Sequence, residues 1–356
     1  MPTVTPQPST LPWRTCGAHD LRLPLVGIGC WAFGGGTYWG NQDQADVDAV
    51  VHGAIDAGCG FFDTAEAYNG GASEEALGRA LRDVPRDQVV LCTKISPHNT
   101  APDDLVAHCD ASLRRLGTNY VDLYMVHWPI TARGIGHYTE RPEVPSAVAA
   151  FQTLVRLQAA GKIRHLGVSN FGIQLLQEAR AAGATIAINE LPCSLITRGI
   201  EAEVLPWCRN QGIGVLGYMS LSQGVLSDSF QTIDEIPEWR RRTRHFAHQR
   251  SPLCRHGTAG TEAELMTALA GIRAVARDLG LATADLALAW ACQVHGITSS
   301  LVGCRTLDQL ELNLRAAQLA LAPEVLRRLD AVTEPLTRAL GPGFDYYEHP
   351  TNDRTR

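Results

Sequence analysis

The chain has 356 residues, 45% of them hydrophobic and 19% charged, with a formal net charge of −6. That composition supplies a large core and argues against global disorder. The acidic balance gives no whole-protein attraction to nucleic acid or an anionic membrane, leaving only a local basic patch as a route to either, and no apolar run reaches the roughly 18 residues of a membrane span.

In chain order, the first dozen residues are rich in Pro and Thr, with no basic segment and no long apolar run. They read as a flexible arm over residues 1–14 rather than a signal peptide. A hairpin-like stretch, "TCGAHDLRLPLVGIGC", follows. Strand and helix patterns then alternate. Strands are expected at 25–31, 60–64, 89–94, 121–128, 163–170, 185–191, 212–220 and 299–304. The intervening stretches carry apolar residues at three- and four-residue spacing, and several end in Gly, the usual residue just past a helix. Alternation of this kind implies a parallel sheet with helical crossovers, and near-continuous apolar strands imply burial on both faces. Eight such units point to a closed (β/α)8 TIM barrel with an N-terminal β-hairpin, a size reached by α/β barrels as single domains. An open doubly wound sheet is the alternative. "GCWAFGGG" is Gly-rich but lacks the G-x-G-x-x-G spacing such a sheet would carry after an early strand.

A long interval after the seventh strand, residues 221–261, contains "EWRRRTRHFAHQRSPLCRHG". It reads either as a solvated excursion or as a functional loop at the active face. The ten cysteines include no Cys-x-x-Cys pair; they read as buried thiols of a reducing, cytoplasmic setting. No Cys/His spacing suggests a metal.

A barrel carries its active site where the strands finish. Trp31, Asp63 with Tyr68, Lys94, His127 with Trp128, Ser169 and Asn170, Glu190, Tyr218, and Gly303 with Arg305 stand there. A tyrosine is a poor acid at neutral pH unless an ammonium favours its phenolate. A carboxylate can hold the ammonium, and an imidazole can orient the same substrate oxygen. Asp63, Tyr68, Lys94 and His127 thus form a device that moves a proton to or from a carbonyl oxygen, as hydride transfer to carbon requires. Each residue has a plainer alternative: Asp63 as a cap, Tyr68 on a surface loop, Lys94 as a solvated strand end, His127 in the core. Four placements at adjacent strand ends outweigh them. His52, His98, His108 and His165 fall outside the pattern and read as structural.

"FFDTAEAYNGGASEEALGRAL", "LCTKI", "VDLYMVHWP", "GKIRHLGVSNF" and "SLVGCRTLDQLELN" resemble, in order, the sequence blocks of the aldo-keto reductase superfamily, nearest its bacterial inositol-catabolism-type branch. The resemblance covers 15–333 as one barrel domain and leaves 334–356 as a C-terminal tail. It implies an NADP(H)-dependent oxidoreductase with Tyr68 as proton donor, Lys94 lowering its pKa, Asp63 pairing with Lys94, and His127 orienting the carbonyl. Trp31, Asp63, Ser169, Asn170, Glu190, Tyr218, Met219, Leu221, Gln223, Gly224, Gly303, Arg305, Gln309 and Asn313 would line the cofactor. Ser169 and Asn170 would hold the carboxamide, Tyr218 would stack on the ring, and Arg305 would take a 2′-phosphate. Trp31, Tyr68, His127 and Trp128 would shape the pocket of a small polar carbonyl or polyol substrate: a sugar, a cyclitol or a nucleotide-linked keto-sugar. A homo-oligomer stays open; nucleic acid, membrane and metal are not expected. The sequence departs from the family pattern at Glu190, where a Gln is usual, at Cys193 for Tyr, and at Ser220 for Pro. An ionised Glu190 would only accept hydrogen bonds, where an amide also donates, and would favour an oxidised, cationic ring. Two rival classes remain. One is a non-catalytic cofactor-binding regulator, which would not need the four-residue set. The other is a metal-dependent barrel hydrolase, which would need paired histidines.

Overall fold

The computed structural model describes residues 4–6, 11–136, 138–139 and 143–356. Eight strands close into a parallel barrel: Val26–Gly29, Phe61–Asp63, Val90–Ile95, Val121–Val126, Ile163–Ser169, Ile186–Pro192, Gly214–Tyr218 and Ser299–Gly303. The last pairs with the first, Gly303 beside Gly29, so the sheet has no edge and the open-sheet alternative does not hold. Each expected strand is present, six of them shortened and two, Val90–Ile95 and Ile186–Pro192, shifted by one residue at full length. The hairpin is also present, with Trp13–Thr15 antiparallel to Arg22–Pro24.

Two cores follow from strand alternation. Phe61, Cys92, Leu123, Met125, Ile188, Leu216 and Leu301 point into the barrel, and Cys16, Leu21 and Leu23 of the hairpin plug its lower end. Phe62, Leu91, Tyr124, Val126 and Leu191 point outward to the helical ring. Glycines make the interior narrow. A Cβ at Gly27 would stand 2.4 Å from the Phe61 ring, and one at Gly167 would stand 2.7 Å from Met125.

Both ends of the chain depart from the expected boundaries. The arm expected to be loose contributes a strand, Val4–Pro6, paired with Leu319–Leu321 after the last barrel unit. The tail boundary at 333 falls inside the helix Pro323–Leu340. Beyond it the chain folds back over the barrel mouth, with Arg354 1% exposed. The 221–261 excursion is built of short 3-10 turns, followed by the helix Glu262–Leu279. All ten cysteines are free, Cys254 half-buried and the others buried. Among the described residues no helix is long and apolar enough to cross a membrane.

Candidate active site

The same alternation that fills the barrel delivers the polar set. Phe61 points in, so Asp63 does; Cys92 leads to Lys94, Met125 to His127, Ile188 to Glu190, and Leu216 to Tyr218. Each polar side chain stands one interior position beyond an apolar one, at the strands' C-terminal ends. Tyr68 comes from the turn Tyr68–Gly71 after the second barrel strand. Asn69, at φ 53°, shapes that turn, and its Nδ2 donates to the carbonyls of Trp31 and Phe33.

Lys94 is the hub. Its Nζ lies 2.6 Å from Asp63 Oδ2, 3.1 Å from the Thr64 carbonyl, 3.3 Å from the Tyr68 hydroxyl and 3.4 Å from Glu190 Oε2. Burial disfavours the ammonium, but Asp63, Glu190 and Tyr68 together hold its pKa well above the usual lysine range. The His127 ring meets the Tyr68 ring edge-on at 5.4 Å. The structure thus brings together all four residues expected to move the proton.

Burial bears on two electrostatic expectations. Lys94 does pull the Tyr68 pKa down, but burial pushes it up more strongly, and Asp63 and Glu190 add to that. Tyr68 therefore rests as a phenol. Glu190 was expected as an anion beside the carboxamide. Its carboxyl instead turns to Lys94, and burial followed by the nearby Asp63 raises its pKa to about 8. Asp63 is raised by burial too, yet it makes the shorter bond to the ammonium and carries the compensating charge. A neutral Glu190 can donate as well as accept, like the amide it replaces.

This has a measurable consequence. A carboxyl whose folded pKa exceeds its unfolded value of 4.5 binds more protons in the native state between the two. Its stabilising contribution is complete at low pH and is lost as pH rises through about 8. Glu190→Gln lacks that loss. Between pH 6 and pH 9 the melting temperature of the wild type should fall several degrees further than that of Glu190→Gln; parallel curves would show Glu190 ionised throughout.

The expected cofactor residues form a band beside the tetrad. Ser169 Oγ donates to the Glu190 carbonyl at 3.2 Å, Asn170 Nδ2 to Ser169 Oγ at 2.9 Å, and the Tyr218 hydroxyl to Asn170 Oδ1 at 2.8 Å. Asn170, Met219, Ser222 and Gln223 all hold positive φ, at 64°, 64°, 46° and 55°. Apart from Asn69, these are the only non-glycine residues in that region among the described residues. Such conformations are costly and cluster where a ligand needs the backbone. Leu221 and Gly224 continue this segment, and Ser220, in place of proline, donates to the Leu301 carbonyl at 2.9 Å. Gly303 and Gln309 are exposed and Asn313 half-buried at the eighth unit. Arg305 is not a free cation: it donates to the carbonyls of Trp39 and Asn41 and to the Gln42 side chain, pinning that loop.

Other participants were not read from the sequence. Tyr38 stacks on Trp31 at 4.8 Å, with Trp39 edge-on to both. The signal was the "TYWG" pair after three glycines. Arg354 of the tail lies 3.7 Å above the Trp128 ring. Three of the four histidines set aside stay outside: His52 contacts the Ala80 carbonyl, His165 lies 3.6 Å from Asp20 at the far end, and His108 pairs with Glu66. His98 instead lies 5.3 Å from the Tyr138 ring, which faces His127 at 6.5 Å. Glu66 in turn accepts from Ser96 and Asn99, bracing the loop after Lys94.

The aldo/keto reductase family model matches residues 25–334. The chain belongs to the aldo/keto reductase family. It is 30% identical to aldo-keto reductase YhdN of Bacillus subtilis, covering 91% of this chain and 94% of that one. It is 29% identical to the NADH-specific methylglyoxal reductase of Escherichia coli, over 90% and 98%. Among solved structures, it is similar to an aldo/keto reductase of Klebsiella pneumoniae in complex with NADP and acetate, at 27% identity, TM-score 0.67, and coverage of 90% and 95%.

Proposed function

We propose that this reductase-family chain interconverts a carbonyl and an alcohol on a small polar substrate, with NADP(H) as its cofactor. The observation that carries the reading is Lys94 set between Asp63 and Tyr68, at 2.6 Å and 3.3 Å, inside a barrel mouth. A non-catalytic binder has no use for that arrangement. Among the described residues no group of three or more His, Cys, Asp or Glu could hold a metal, so the metal-hydrolase reading has no ligand set there.

The bound cofactor supplies or takes the hydride; the chain's residues handle the proton. In reduction, the substrate oxygen sits between the Tyr68 hydroxyl and His127, and Tyr68, a phenol at rest, donates. Negative charge then grows 3.3 Å from an ammonium, where it is stabilised. Asp63, the ammonium's shorter partner at 2.6 Å, already balances Lys94. Ser169, Asn170 and Tyr218 would hold the nicotinamide end, and Met219 to Gly224 the pyrophosphate. Gly303, Arg305, Gln309 and Asn313 would hold the adenosine end, while Trp31 and Trp128 shape the substrate pocket. Methylglyoxal reductase among the relatives agrees with a small carbonyl substrate; the Arg- and His-rich loop agrees with a polar one such as a sugar, a cyclitol or a nucleotide-linked keto-sugar. The test is cofactor absorbance with NADPH and NADH against methylglyoxal, glycerol, inososes, sugars and simple aldehydes. No turnover with any of them would remove the reading.

Arg305 decides how strong the cofactor preference is. Its present acceptors are neutral, and a 2′-phosphate offers charge-assisted bonds in exchange. The gain is the difference between the two sets, so Arg305→Ala should weaken NADPH roughly three- to tenfold and NADH less. Titration of both cofactors measures it. Equal losses would leave Arg305 as the latch of the 39–42 loop and nothing more.

A further inference from the structure

The Arg-rich part of the long loop is mostly committed. Arg241 faces Asp234 at 3.7 Å, and Arg250 pairs with Asp234 at 2.6 Å and Glu262 at 3.0 Å. Arg255 pairs with Glu348 at 2.8 Å, and Arg244 donates to the carbonyls of Leu340, Gly343 and Asp345. Arg242 differs. Among the described residues no carboxylate pairs with it, and its Nε is buried without an acceptor. It is framed by rings instead: its Cζ lies 5.1 Å from the Tyr38 centroid, 5.3 Å from Tyr347 and 6.0 Å from Trp31.

Aromatic faces orient a guanidinium without neutralising it. A half-buried cation with a buried, unused donor is left incomplete until an anion meets it. The nearby tail carboxylate, Asp345, is already held by Arg354. The position of Arg242 says where the missing anion belongs. The Trp31 ring that Arg242 faces is 6.1 Å from the Tyr68 ring, on the side of the proton donor. Arg240, two residues earlier, also leaves its Nε without an acceptor and lies 5.7 Å from the Trp39 centroid, but its Nη1 is spent on the Gln223 carbonyl at 2.8 Å in the strained segment.

We propose that Arg242, in its frame of Trp31, Tyr38 and Tyr347, recognises an oxyanion carried by the carbonyl substrate, a carboxylate or a phosphate. The proposal rests on the oxidoreductase reading and narrows its polar substrates to the acidic ones. The planar fork of the guanidinium suits either group bidentately. Bound there, the acid group would hold the carbonyl end toward Tyr68.

The test uses substrates matched except for charge: glyceraldehyde phosphate against glyceraldehyde, and carboxybenzaldehyde against benzaldehyde. Wild type, Arg242→Met and Arg242→Lys are compared. The wild type should favour the acid of each pair. Arg242→Met, which keeps the apolar stem against the rings, should reduce the acid-to-neutral ratio of kcat/KM roughly 10- to 100-fold, through KM. Arg242→Lys should recover part of it. A ratio unchanged by Arg242→Met overturns the proposal. So does a loss of NADPH affinity as large as the loss on the acid, which would assign the cation to the cofactor. If the wild type reduces none of the four and nothing in the wider carbonyl panel, the oxidoreductase reading has failed, and calorimetry still judges the site: carboxybenzaldehyde should bind the wild type more tightly than Arg242→Met, and equal binding overturns the assignment.

Discussion

Tyr68→Phe should lose at least ~10²-fold in kcat, the scale of general acid catalysis, while its affinity for the nicotinamide cofactor stays nearly unchanged. The phenylalanine keeps the ring against Trp31 and His127, at 6.1 Å and 5.4 Å. It removes only the hydroxyl that faces Lys94 at 3.3 Å. Because burial holds Tyr68 in its phenol form, the lost group is the one that carries the proton. The Lys94 ammonium does not stand in its place, since Asp63 and the Thr64 carbonyl hold it. Steady-state kinetics in the reductive direction, with cofactor binding followed separately by fluorescence, makes the check. A variant that kept most of its kcat would end the assignment of Tyr68 as donor.

Arg354→Ala should cost about 3–5 kcal/mol of stability, the range for removing one partner of a buried ion pair. Its guanidinium donates to both Asp345 oxygens at 2.8 Å and 2.7 Å, and its own backbone N–H to the same carboxylate at 3.1 Å. Both side chains are 1% exposed. The substitution leaves Asp345 buried with its charge unmatched and uncovers Trp128. Urea unfolding of wild type and variant measures the difference, and Arg354→Lys, which keeps the charge but not the fork, should fall between. A change below about 1 kcal/mol, typical of an exposed pair, would mean that the tail is not docked in solution.

The barrel was legible because each strand is a short apolar run with a helix of different period behind it. The tetrad was legible for the same reason, since strand alternation carries Asp63, Lys94 and His127 inward. What the sequence hid depends on distances between remote segments. Nothing in "GPGFDYYEHPTNDRTR" announces that Arg354 lies on Trp128, because a fully buried arginine is indistinguishable from a surface one until its partner Asp345 is placed. Arg305 reads as a phosphate ligand, and only the return of the 39–42 loop shows its donors in use. The protonation of Glu190 is hidden for a related reason. Its identity is in the sequence, but its proton depends on sharing one ammonium with Asp63 in a dry interior.

The docked tail also bears on how this molecule could change. Asp63, Lys94, His127 and Glu190 are fixed on or directly after barrel strands. One pocket wall is instead borrowed from 344–355, a segment clasped by Arg244 and tied to the Gly172 amide through the Thr355 carbonyl. Chemistry and selectivity are therefore carried by separable parts of the chain. A library centred on Tyr347, the tail residue that faces Arg242, would explore new substrates while the proton machinery is inherited intact. The same library placed on the strand ends would put that machinery at risk with every change.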